Sequence, residues 1–107
     1  MASIPRRLVT TALTGSAAVV YTAGSRCTIS AATLCNSTGG AVSCSLWLVP
    51  AGGAAGAGNV VLSAQSVAAG ATRVCAELVG QSLEPGGQIV ALGAGVALVV
   101  SGNEVQQ

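Results

Sequence analysis

Residues 26–49 read RCTISAATLC, NSTGG, AVSCSLWLV. Two runs rich in Val, Thr, Ile and Leu flank a break made of Asn36, Ser37, Thr38, Gly39 and Gly40. Short apolar runs of alternating character read as half-buried strands, and an Asn-Ser-Thr-Gly-Gly cluster reads as a turn. In 26–35 the alternation puts Cys27, Ile29, Ala31, Thr33 and Cys35 on one face and Arg26, Thr28, Ser30, Ala32 and Leu34 on the other. In 41–49 it puts Val42, Cys44, Leu46 and Leu48 toward a core and Ser43, Ser45 and Trp47 away from it.

The same rhythm extends in both directions. Strands are expected at 18–22, 59–67, 72–78, 88–93 and 95–104. Ala23-Gly24-Ser25, the Ala/Gly run 51–58, 68–71 and 80–87 punctuate them. Pro50 ends the strand before it, because it has no N–H for a ladder. Ile89–Val100 is the most apolar run, but its twelve residues fall short of the roughly 20 that cross a bilayer as a helix. Gly93 and Gly95 split it into strand, turn and strand. The fold class is therefore all-β, an antiparallel sandwich of jelly-roll or Ig-like type with about seven to eight strands. The chain divides into an N-terminal arm, 1–14, and a single domain, 15–107. The N-terminal run has two arginines ahead of an apolar stretch, as a secretory signal has. Thr10, Thr11, Thr14, Gly15 and Ser16 break that stretch, so the segment is expected to be a docking arm or a frayed end.

Composition narrows the function. The chain has 107 residues, of which 51% are hydrophobic and only 7% charged, where about 25% is usual. The charges are four arginines and three glutamates. Lys, Asp, His and Phe are absent. Without His or Asp, neither a Ser-His-Asp nor a Cys-His nucleophile can be assembled. Nothing in the pattern brings two of Glu77, Glu84 and Glu104 together as a glycosidase pair. Four scattered arginines and two aromatics, Tyr21 and Trp47, make no groove or stacking platform for nucleic acid. The expectation is a protein that is not an enzyme and has no cofactor, no metal, no nucleic-acid partner and no membrane span.

Four cysteines, Cys27, Cys35, Cys44 and Cys75, are separated by seven, eight and thirty residues. That spacing carries no zinc pattern. Buried free thiols are one reading. A Cys35–Cys44 disulfide is the other, if 26–35 and 41–49 pair as a hairpin. Seven charges cannot cover a domain that normally needs about 25–35% charged surface to stay apart from its neighbours. Self-association is therefore expected. Trp47, on the face away from the core, packs either within the domain or against a neighbouring subunit.

Several segments resemble one family. ISAATLCNSTG from Ile29, VSCSLWLVPAGGAA from Val42, LSA from Leu62, AAG from Ala68, LEPG from Leu83 and SGNEV from Ser101 together look like the small β-sandwich virion proteins of tailed bacteriophages. The resemblance spans about residues 10–105. Ala71 stands where the family has Glu after its Ala-Gly turn, and Pro85-Gly86-Gly87 replaces a Gly-Asp turn. The resemblance implies a virion location and a capsid decoration (cement) protein that bridges subunits of the head. Its partners would be the major capsid protein or other virion proteins and copies of itself, with a trimer favoured. A tail, head-fibre or spike component is the alternative, and a secreted bacterial surface protein a more distant one. Ile4, Pro5, Arg6 and Arg7 of the arm, together with Trp47, are the expected assembly contacts.

Overall fold

The computed structural model describes residues 2–106, and side-chain surroundings for residues 5–104. It is a sandwich of two antiparallel sheets. The strands are β1 (Ala2–Ala12), β2 (Ala18–Thr22), β3 (Cys27–Asn36), β4 (Val42–Val49), β5 (Val60–Val67), β6 (Thr72–Val74), β7 (Ser82–Leu83), β8 (Gln88–Leu92) and β9 (Val96–Gln106). One sheet runs β1-β9-β3-β6, with the two-residue β7 also on β3; the other runs β2-β8-β4-β5. They are called sheet A and sheet B below.

Two strands exceed the expected count. Residues 2–12, expected to be an arm ahead of the domain, instead form the edge strand of sheet A, paired with β9 from Ala2↔Gln106 to Ala12↔Ala97. Val9 and Leu13 are buried, which anchors that edge to the core. The other addition is β7, inside a segment expected to be turn alone. The segment 72–78 is also shorter as a strand than its alternation suggests. It turns after Val74, and Cys75 and Leu78 point into the core.

Register shifts explain where simple alternation fails. In β3 the pairing skips between Ile29 and Ala31. An extra residue in one strand moves every later side chain to the other face. Ile29 is buried before the bulge; Ala32, Leu34 and Asn36 are buried after it, and Cys35 turns outward. The expected common face for Cys27, Ile29, Ala31, Thr33 and Cys35 is thus broken at Ser30. Opposite the bulge lies Gly102, where any Cβ would collide with the Thr28 carbonyl. Only glycine fits there.

The core is aliphatic. Val9, Ile29, Leu34, Val96, Leu98 and Val100 of sheet A meet Cys44, Leu46, Leu62, Val67, Ile89 and Ala91 of sheet B. Leu78 and Leu83 close one side.

One buried polar side chain stands out in this core. Asn36, at the end of β3, is fully buried. Its amide donates to the carbonyls of Gly40 (2.9 Å) and Val67 (2.8 Å). Its Oδ1 accepts from the Thr38 N–H (2.9 Å) and the Thr38 hydroxyl (2.6 Å). The Asn36 backbone bonds Ala71 and Gly70. Asn36 therefore ties the β3–β4 crossing to the end of β5 through its side chain and to the β5–β6 crossing through its backbone. All four of its hydrogen-bonding positions are used.

Removing this side chain takes a donor from the carbonyl of buried Val67 and an acceptor from Thr38, and each buried group left unpaired costs about 1–3 kcal/mol. Asn36→Ala is expected to lower unfolding free energy by about 2–4 kcal/mol in urea titration. Asn36→Asp is expected to cost more at neutral pH, because an acceptor-only carboxylate would face two carbonyls. A loss below about 1 kcal/mol for the alanine variant would show that the amide does not hold the crossings.

Candidate interaction surfaces

Charge is distributed unequally over the sandwich. The four strands of sheet B carry no ionisable Arg or Glu at all. Arg6, Arg7, Arg73 and Glu104 lie on strands of sheet A, while Arg26, Glu77 and Glu84 lie in connections. Four of the seven are consumed in pairs: Arg6 Nε sits 3.0 Å from Glu104 Oε1, and an Arg73 terminal nitrogen 2.7 Å from Glu77 Oε2. The Arg73–Glu77 pair, uncertain on an extended strand, closes because the chain turns between the two residues.

The outer face of sheet A can be read from its register. Thr10 pairs with Val99, Val99 with Thr33, and Thr33 with Val74. This makes one outward row of β-branched side chains across all four strands. On one side of it lies the row Ala12, Ala97, Cys35, Thr72. On the other lies the row Arg7, Ser101, Ala31. Pro5, Asn103, Thr28 and Ser82 follow. Only Arg7, at the β1 edge, brings charge to these rows. Val74 is 67% exposed and Val99 36%, and Val79 in the turn after β6 is also exposed.

The outer face of sheet B has its own apolar row. Val19 pairs with Val90, Val90 with Trp47, and Trp47 with Val60. Trp47 faces away from the core, as its alternation implies, and is half-buried within this row. Val90 is almost covered, while Val19 at the β2 edge is 52% exposed.

The expected contact residues are therefore not brought together. Pro5 and Arg7 are exposed on β1 in sheet A, and Arg6 is exposed but committed to Glu104. The side chain of Ile4 lies outside the described residues. Trp47 is on the opposite side of the sandwich. Sequence reasoning missed the Thr10–Val99–Thr33–Val74 row, because it exists only once the strand order and the β3 bulge are known.

Tyr21 joins the two sheets. From β2 its hydroxyl donates to Glu104 Oε2 on β9 at 3.0 Å, so Glu104 bridges Arg6 and Tyr21. Burial, helped by the bond to Glu104, pushes the Tyr21 hydroxyl well above the usual phenol range. Burial also raises the Cys27, Cys44 and Cys75 thiols. All four cysteines are free, and Cys35 alone is exposed. The Cys35–Cys44 bridge is absent because β3 and β4 lie in different sheets, with Cys35 outward and Cys44 inward.

Chemistry elsewhere is sparse. An open cleft of about 430 Å³ is lined by Arg26, Leu48, Val49, Pro50, Leu83 and Glu84, among others. Its two charged residues are both exposed, with no nucleophile–base pair between them. Among the described residues no three His, Cys, Asp or Glu side chains could hold a metal ion. Compared with known protein families, curated proteins and solved structures, the chain matches none.

Two outcomes follow from the thiols and Tyr21. In dilute solution without reductant, alkylation is expected to label Cys35 alone, and all four cysteines after denaturation; fewer than four would reveal a bridge. Raised pKa values mean that the folded chain resists ionisation more than the unfolded chain does. This stability is complete below about pH 8.5, falls as pH rises through the thiol range, and falls further above about pH 10 as Tyr21 joins. The melting temperature measured from pH 7 to 11 should show both declines, and Tyr21→Phe should remove the upper one. A flat profile to pH 11 would contradict the burial of these groups.

Proposed function

We propose that the chain is a non-enzymatic structural protein of a virus particle, a capsid decoration protein of a tailed bacteriophage that adds contact area across head subunits. The observation that carries this reading is the surface. Both outer faces of the sandwich bear rows of apolar or hydroxyl side chains, and of the seven charges only Arg7 lies in those rows. A surface of this kind loses little on being covered by protein, because few ions need desolvation. The family resemblance over residues 10–105 supplies the biological setting. Cementing needs only area: each site gains apolar burial of about 25 cal/mol per Å² in gross terms, and symmetry repeats the site.

On this reading the Trp47 face of sheet B meets the shell. A half-buried Trp flanked by Val90 and Val60 is the kind of anchor that dominates interface energetics. The β1 edge does not act as a detached arm, since β1 is part of sheet A.

The test is binding to purified shells that lack the protein. Saturation at hundreds of copies per particle is expected, with Trp47→Ala weakening binding by about tenfold or more and thermal stability largely kept. Only a few to dozens of copies, located at the tail, would point to the tail or fibre role instead. No binding to any part of the particle would overturn the virion reading.

A further inference from the structure

We infer that the two Arg–Glu pairs are guards: each closes one open flank of the sandwich, so that a second copy of the chain cannot extend the sheets edge to edge. The inference concerns how the purified chain keeps its edges to itself, and it does not rest on the virion reading.

The need for guards comes from the topology. Neither sheet closes on itself, so β1 and β6 are the edges of sheet A, and β2 and β5 those of sheet B. The free N–H and C=O groups of an edge are a template for another strand. A chain with only seven charges has little general repulsion to oppose such pairing. Four of those seven stand at the flanks.

Register turns these charges inward. At the flank where β1 and β2 meet, Glu104 lies opposite fully buried Cys27, and Arg6 shares its row with Gly102 and buried Ile29. Arg6 reaches the Glu104 carboxylate from β1, and the Tyr21 hydroxyl reaches it from β2, so the three side chains span the gap between the two edge strands. At the other flank, Arg73 lies opposite buried Leu34 and also points inward, while Glu77 meets it at the rim. Arg73 Nε is buried with no hydrogen-bond partner among the described residues. A pair kept for stability alone would not leave that donor unmet. As a guard it works well: a strand adding to β6 would cover the rest of the guanidinium and the exposed Glu77 carboxylate, desolvating both.

The backbone opposes the same event. β6 has only three residues, and β1 carries Pro5. β5 is bent by two register shifts, with Ala64 in the left-handed region (φ 46°) and its N–H turned onto the Ser45 hydroxyl at 2.9 Å.

The test neutralises each pair in the whole chain: Arg73→Met with Glu77→Gln, and separately Arg6→Met with Glu104→Gln. Each double variant removes one charge of either sign, so net charge is unchanged. Melting temperatures are expected within about 5 °C of the wild type, because such pairs add little net stability. Sedimentation should nevertheless show association at least about tenfold tighter than that of the wild-type chain. On association, hydrogen exchange should slow at β5 and β6 in the first variant and at β1 and β2 in the second. Arg73→Glu with Glu77→Arg restores a pair at the rim and should behave as the wild type. Arg7→Met, which removes an outward charge, should bring no protection to the edges. A larger fall in melting temperature would show that the pairs hold the fold instead. Unchanged association, protection confined to the sheet faces, or a reversed pair that associates as the neutral one does would also overturn the inference. Binding to shells through the Trp47 face is read separately, so the two proposals fail separately.

Discussion

At one end of the sandwich the chain crosses between the sheets four times, and two of these crossings, β3–β4 and β5–β6, are tied to one buried asparagine. Asn36 sits where an aliphatic residue would ordinarily continue the core, and every hydrogen-bonding position it has is filled by the β3–β4 loop, by β5 or by Thr38. With no Phe and no aromatic among its fully buried side chains, the core is Leu, Ile, Val, Ala and Cys, whose packing sets distance between sheets but little direction. A satisfied polar group supplies direction, because its partners must be met in one arrangement only. The Tyr21–Glu104–Arg6 cluster does related work between β2, β9 and β1.

Placing β1 in sheet A changes how the outside of the molecule is understood. As an arm, residues 1–14 would have been the part that reaches a partner. As an edge strand, β1 covers one side of β9, contributes Val9 to the core and carries Pro5, Arg6 and Arg7 along an otherwise open edge. Proline and charge on an edge hinder further strand addition. The sheet faces, rather than that edge, are then the surfaces left open.

Much of the fold was legible because Gly and Pro mark the turns cleanly: β2 and β4, and the β8–β9 turn at Gly93–Gly95, fall where their alternation and breaks put them. What was not legible lies mostly in how strands pair rather than in how each one reads alone. A bulge leaves no mark in composition, so the skip at Ser30 sent Cys35 outward against simple alternation. Strand order is equally silent, which is why β3 and β4, adjacent in sequence, were paired as a hairpin and the bridge between Cys35 and Cys44 was entertained. β1 was missed because Pro5 and two arginines look unlike a strand, although each suits an edge. Trp47 was legible as outward-facing; its row with Val19, Val90 and Val60 was not, since that row is assembled from three other strands.

The central claim is that a β module with so few charges presents its flat faces to other protein. Small-angle scattering in solution tests it most directly. One chain has a radius of gyration of 13.3 Å and a shortest dimension of 18 Å. Stacking across that short dimension should double the scattering mass with concentration while raising the radius only modestly. A single-chain mass with a concentration-independent radius near 13.3 Å would contradict the account.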